Sequence, residues 1–161
     1  MARIEERLKT LGITLPPLPS VPPGVELPFP WINLRGDRAF VSGHGPIGPD
    51  GKISGPHGQV GGEVSVEAAV DLARLTGLSM LSTLADALGD LDRIVGWGRV
   101  FGMVNSAPGF GDQPRVINGF SEQILEVFGP EVGRHARSAV GMAALPFAMA
   151  VEIEAEVLIK P

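Results

Sequence analysis

The chain has 161 residues, enough for one domain with its own apolar core, and 18 acidic against 13 basic residues give a formal net charge of -5. It contains no cysteine, which excludes disulfides and thiolate chemistry and fits a reducing cytoplasm. The acidic balance argues against a nucleic-acid partner, and the lack of any apolar run of about 18 residues, with acids where a signal peptide would turn apolar, argues against a membrane span or export.

In chain order, Ile4, Leu8 and Leu11 share a helical face, which predicts a short amphipathic helix ending at Gly12. Seven prolines between Pro16 and Pro30 exclude a helix or a central strand there. They predict an extended strap, and Leu18, Val21, Val25, Leu27 and Phe29 predict that it packs down on the body. Residues 1–30 thus read as an accessory segment and residues 31–161 as the main domain. Residues 31–34 and 38–42 predict a hairpin around Gly36-Asp37, and Asp50-Gly51 a second turn before a short strand over 52–54. Ser65 is placed to cap a helix over 66–88 that Gly89 closes. Residues 94–104 read as a strand with Gly96, Gly98 and Gly102 on one face, where bare backbone admits a close approach. Asp112 then caps a second long helix, with Pro114 in its first turn, a buried stripe from Ile117 to Phe128, and Gly129-Pro130 as its stop.

Two strands, read as neighbours, finish the chain. One carries Arg137; in the other Val151, Ile153, Ala155, Val157 and Ile159 face one way and Glu152, Glu154 and Glu156 the other, by period-two alternation. An arginine fork suits a planar carboxylate, which makes Arg137 a candidate ligand contact; the alternative is a cross-strand ion pair with Glu152 or Glu154. The pattern as a whole predicts an α+β layer with both long helices on one side of the sheet.

Other motifs fail on context. Gly43-His44-Gly45-Pro46-Ile47-Gly48 has the letters of a dinucleotide-binding loop, but it leads into the Pro49-Asp50-Gly51 turn instead of a helix. His44, His57 and His135 have no metal-ligand spacing, and no metal or organic cofactor is expected.

Val41-Ser42-Gly43 with Gly45-Pro46, then Val116-Ile117-Asn118, Ala136-Arg137-Ser138 with Val140, Leu145-Pro146 and Val151-Glu152-Ile153-Glu154-Ala155 resemble, in order and spacing, the YjgF-type reactive intermediate deaminase (Rid) family, also labelled endoribonuclease L-PSP. The resemblance spans residues 31–160. It implies a chorismate-mutase-like α+β fold, a mixed sheet with two helices on one face, assembled as a homotrimer with clefts between subunits. It also implies cofactor-free hydrolytic deamination of reactive enamine or imine acids to 2-keto acids and ammonia. Arg137 would bind the substrate carboxylate and Glu152 would position water, with Ser42, Gly43 and Asn118 in or beside the cleft. His44, able to relay a proton, is a second catalytic candidate. The chain departs from the family pattern where His44 replaces a glutamine, Ala139 replaces a cysteine, and no tyrosine exists to fill the place expected near Phe29 to Trp31. Two other functions fit less of the sequence. One is a non-catalytic binder of a small carboxylate such as a keto acid. The other is a ribonuclease, against which stand the charge balance and the lack of interleaved aromatics to stack bases.

Overall fold

The computed structural model describes residues 3–21 and 23–160, so Pro22 of the strap and the terminal residues Met1, Ala2 and Pro161 lie outside the account. Helix α1 (Arg3–Thr10) buries Ile4 and Leu8 in the main core. Its first amides, at Arg3 and Ile4, donate to the Asp92 carboxylate at 2.5 and 2.9 Å, the favourable pairing of an anion with a helix N-terminus. Gly12, at φ +67°, ends the segment as predicted.

The strap is extended and fastened mainly through backbone oxygens. The Ser82 hydroxyl donates to the Pro16 carbonyl at 2.7 Å, and the amide and hydroxyl of Ser20 both donate to the Gly51 carbonyl at 2.9 Å. Of the five apolar side chains expected to pack down, Leu27 is partly buried, but Leu18, Val21, Val25 and Phe29 remain 38% to 51% exposed. Its described residues stand as a wall beside the body.

Strands β1 (Ile32–Arg35) and β2 (Arg38–His44) form the predicted hairpin. The strand expected over 52–54 is only an isolated bridge between Ile47 and Ile53, since the surrounding glycines and prolines cannot sustain a ladder. Helix α2 (Val66–Leu88) starts where the Ser65 hydroxyl accepts the Ala68 amide at 3.1 Å and ends at Gly89 in the left-handed region. Strand β3 (Ile94–Asn105) leads into α3 (Gln113–Gly133). Gly129 breaks α3 at φ 76° and ψ 170°, and one further turn follows from Pro130. Strands β4 (Ala136–Met142) and β5 (Val151–Ile159) complete a five-stranded mixed sheet in the order β1-β2-β5-β3-β4.

That order corrects the expectation that the two closing strands are neighbours. Helix α3 is a crossover, so β4 returns parallel to β3 on its outer side. The Leu145-Pro146 turn then sends β5 across to the slot between β2 and β3, antiparallel to both. Helices α2 and α3 cover one face, burying Val151, Ile153, Ala155, Val157 and Ile159. Gly119 lets the helices touch, because a Cβ there would collide with the Val70 carbonyl.

The glycines of β3 do not share a face. Irregularities between Ile94 and Gly96 and between Trp97 and Arg99 reset the alternation, so Gly96 lies under Leu158 while Gly102 lies under Ile117 of α3.

Candidate functional site

Period two also fails once in β2, and the site is built around that failure. Val41 pairs with Ala155 and His44 with Ile153, so Ser42 and Gly43 together oppose Glu154 alone. This is a β-bulge, a device that re-aims the side chains after it. At Gly43 the missing side chain leaves room for the Glu152 carboxylate on the uncovered face; a Cβ there would collide with Oε1. Glu152 is half-buried with no hydrogen bond or ion pair among the described residues. Burial, and secondarily the neighbouring Glu154 charge, push its pKa above the ordinary carboxylate value.

The bulge also relocates His44. Strict alternation would put it on the uncovered face with Phe40 and Ser42; instead it follows Ala39 and Val41 into the core and is 1% exposed. Nδ1 lies 2.6 Å from the Ser42 carbonyl and Nε2 2.8 Å from the Thr83 hydroxyl of α2. A carbonyl only accepts, so in the neutral ring Nδ1 carries the proton and Nε2 is an acceptor facing the Thr83 hydroxyl, whose single proton has the Met80 carbonyl at 2.9 Å as its other acceptor. Burial lowers the pKa to about 4, against the opposing pull of the Ser42 carbonyl. Both ring nitrogens are committed within the fold. This is a correction to the expected proton relay: the arrangement holds the bulge, and leaves no nitrogen for a substrate.

Arg137 pairs in register with Val100, which faces the helices, and its guanidinium lies against α3. Nη1 donates to Ser121 Oγ at 2.9 Å; Nη2 donates to the Pro114 carbonyl at 3.1 Å and to Asn118 Oδ1 at 2.6 Å. Ser121 in turn donates to His135 Nε2 at 2.9 Å, because His135 Nδ1 donates to the Gly133 carbonyl at 2.8 Å. Every direct partner is a neutral oxygen, and none of the ion pairs among the described residues involves Arg137. Partial burial lowers its pKa, offset by the charge of Glu122. The cross-strand pair with Glu152 or Glu154 does not form. With β3 between their strands, about 10 Å separates β4 from β5, and Arg137 and Glu152 lie on opposite faces of the sheet.

The remaining candidates are dispersed. Gly43, His44 and Glu152 line a pocket of about 710 Å³ walled by the strap. Ser42 donates to the Pro30 carbonyl at 2.8 Å and lines a separate depression of about 410 Å³ on the uncovered face. Asn118 sits on α3, holding Arg137 and bordering a cleft toward α2. Sequence reasoning missed the Pro114 carbonyl and Ser121 as the seat of Arg137, with His135 behind Ser121; the spacing of Pro114, Asn118 and Ser121 along α3 was the available signal. It also missed the strap as a pocket wall. Among the described residues no group of three or more His, Asp or Glu is arranged to hold a metal ion, and no helix is long and apolar enough to cross a membrane.

A family model described as "YjgF/chorismate_mutase-like, putative endoribonuclease" matches residues 5–154. The chain belongs to this YjgF-like family. Protein TCP17 of Trypanosoma cruzi is 41% identical over 153 residues, which cover 95% of this chain and 92% of that protein. A crystal structure of a protein of unknown function from Agrobacterium tumefaciens is 42% identical with a TM-score of 0.85, covering 98% of this chain and 94% of its own. A structure from Shewanella oneidensis described as a "putative endoribonuclease" is 27% identical with a TM-score of 0.85, covering 97% and 99% of the two chains. The YjgF-like fold read from the motifs is therefore the fold of this chain, and the family match takes in six of the eight residues of α1 and the sequence of the whole strap.

Proposed function

We propose that this protein hydrolyses reactive imine or enamine acids to 2-keto acids and ammonia, in clefts formed between copies of the chain. The observation that carries this reading is Arg137, a guanidinium fixed by Ser121, Asn118 and Pro114 yet lacking any carboxylate partner among the described residues. A planar carboxylate on a ligand supplies the missing anion. Nη2 already serves two acceptors, so a two-bond grip requires it to release one of them.

Glu152 is the group assigned to water. In the reaction the water oxygen adds to the carbon of the protonated C=N bond while Glu152 takes the water proton. That proton then returns to the carbinolamine nitrogen, the C–N bond breaks, and the carbinolamine hydroxyl gives up its proton as the keto C=O forms. The balance is protonated imine plus water giving keto acid plus ammonium, with nothing oxidised or reduced. A carboxylate with a raised pKa is a better base for this step than a solvated one. Because Arg137 and Glu152 occupy opposite faces, one chain cannot present both to one small substrate, and the proposal takes them from neighbouring copies, the trimer implied by the resemblance. His44 is assigned a positioning part through the bulge. Ribonuclease activity finds no support around Glu152, a half-buried carboxylate in a largely apolar pocket whose lining offers a phosphate backbone a single basic lysine, Lys52.

The test is ammonia release from imines generated in place by an amino-acid oxidase, with wild type and Arg137→Ala. Acceleration over the uncatalysed rate, lost in the variant, supports the reading. Arg137-dependent keto-acid binding without acceleration replaces it with a carrier role.

A further inference from the structure

The pocket beside Glu152 is far larger than a water molecule and a two-carbon acid need. Its volume is about 710 Å³, within the range of pockets that enclose drug-sized ligands. Of the large apolar side chains left exposed on the molecule, Val21, Val25, Phe29 and Phe147 all line it. Exposed apolar groups gathered at one concave place mark a binding surface. The extreme case is Phe147, 82% exposed and held at φ 56°, followed by Ala148 at φ 53°, two consecutive non-glycine residues in the left-handed region. The Gly58 amide, which donates to the Ala148 carbonyl at 2.7 Å, helps pin this turn. Strain kept in place to hold an aromatic ring at a pocket mouth points to a use for that ring.

Two charged side chains line the pocket, the half-buried Glu152 and the exposed Lys52, and the partnerless Glu152 carboxylate is complementary to the cationic end of a protonated imine. A ligand that fits both features has an iminium group at Glu152 and a bulky apolar group among the strap residues. We infer that the strap-walled pocket is a side-chain subsite that selects imine acids with large aliphatic or aromatic side chains over small ones. This rests on the reading of Glu152 as the group that positions water. Trp31, its ring 5.0 Å from that of His44, closes the inner side.

The experiment compares kcat/KM for imines made from alanine, leucine and phenylalanine, with wild type and with Val25→Asp or Leu27→Asp in the strap. Apolar subsites discriminate about tenfold or more per side-chain increment, so the leucine and phenylalanine imines are expected at least tenfold above the alanine imine. The strap variants should remove most of that advantage and leave the alanine imine within about twofold. An alanine imine turned over as well as the others overturns the subsite, as does a strap variant that slows all three equally or dissociates an assembly. If no imine is accelerated, the deaminase reading fails, and calorimetry with the keto acids of leucine and alanine decides the subsite alone. About tenfold tighter binding of the leucine keto acid, lost in Val25→Asp, sustains the pocket, and equal affinities overturn it.

Discussion

Gly43 and Glu152 touch across a strand pair: Oε1 of Glu152 occupies the space that any side chain at position 43 would fill. The bulge at Ser42–Gly43 makes that contact and at the same stroke turns His44 into the core. Gly43→Ala therefore displaces the flexible end of Glu152 while asking little of the backbone, since Gly43 does not lie at positive φ. Deaminase turnover should fall roughly 10- to 100-fold, with a urea midpoint that moves by less than about 1 kcal/mol of stability. Unchanged turnover in a folded variant would remove Glu152 from the reaction.

Glu152→Gln should separate stability from activity. Because burial raises the carboxyl pKa, the protonated form is the one the fold prefers. The stabilising contribution of that form is full below the ordinary carboxylate pKa and is lost as pH rises through the raised value. At neutral pH the neutral amide should therefore raise Tm by about 1 to 3 °C, a modest figure because a half-exposed charge is partly screened. Turnover should drop about 100-fold or more in the same variant. In wild type, the acid limb of kcat/KM should lie above the ordinary carboxylate range, where Glu152 loses its charge. Differential scanning calorimetry and a pH–rate profile check the two halves.

His44 gives the opposite sign. Its folded-state pKa of about 4 lies below the ordinary 6.5, so between those values the unfolded chain takes up a proton that the folded chain refuses. Stability from His44 is full above pH 6.5 and falls as pH drops toward 4, by about 3 kcal/mol. Urea denaturation at neutral pH and at pH 4.5 should show a shallower loss for His44→Gln than for wild type; parallel losses would contradict the burial argument.

Ser121→Ala removes one of the hydrogen bonds that seat Arg137 and unlinks it from His135. An arginine that is present but less well held should bind carboxylate more weakly, raising KM about tenfold with kcat nearly unchanged. A loss confined to kcat would place Ser121 in the chemistry instead.

Much of this architecture was legible in the residues because local signals agreed with the fold. Ser65, Gly89 and the apolar stripe of α3 set two helices, and the alternation in β5 set which face is buried. What was not legible came from places where the chain breaks its own period. One extra residue in β2 moved His44 across the sheet, and two irregularities in β3 split its glycines between faces. The adjacency of β4 and β5 was misread because a helical crossover and a long turn leave no local mark of where a strand inserts. The strap misled for another reason: apolar side chains among prolines indicate contact, but not whether the partner is the body or a ligand.

The central claim is that Arg137 and Glu152 act together from different copies of the chain. Arg137→Ala and Glu152→Gln, each inactive alone, should be unfolded together, refolded as a mixture and assayed on the leucine-derived imine. Random mixing in a cyclic assembly leaves about a quarter of the clefts with both groups intact, so about a quarter of wild-type activity should return. A mixture as inactive as its parents, in a correctly refolded assembly, would contradict the account.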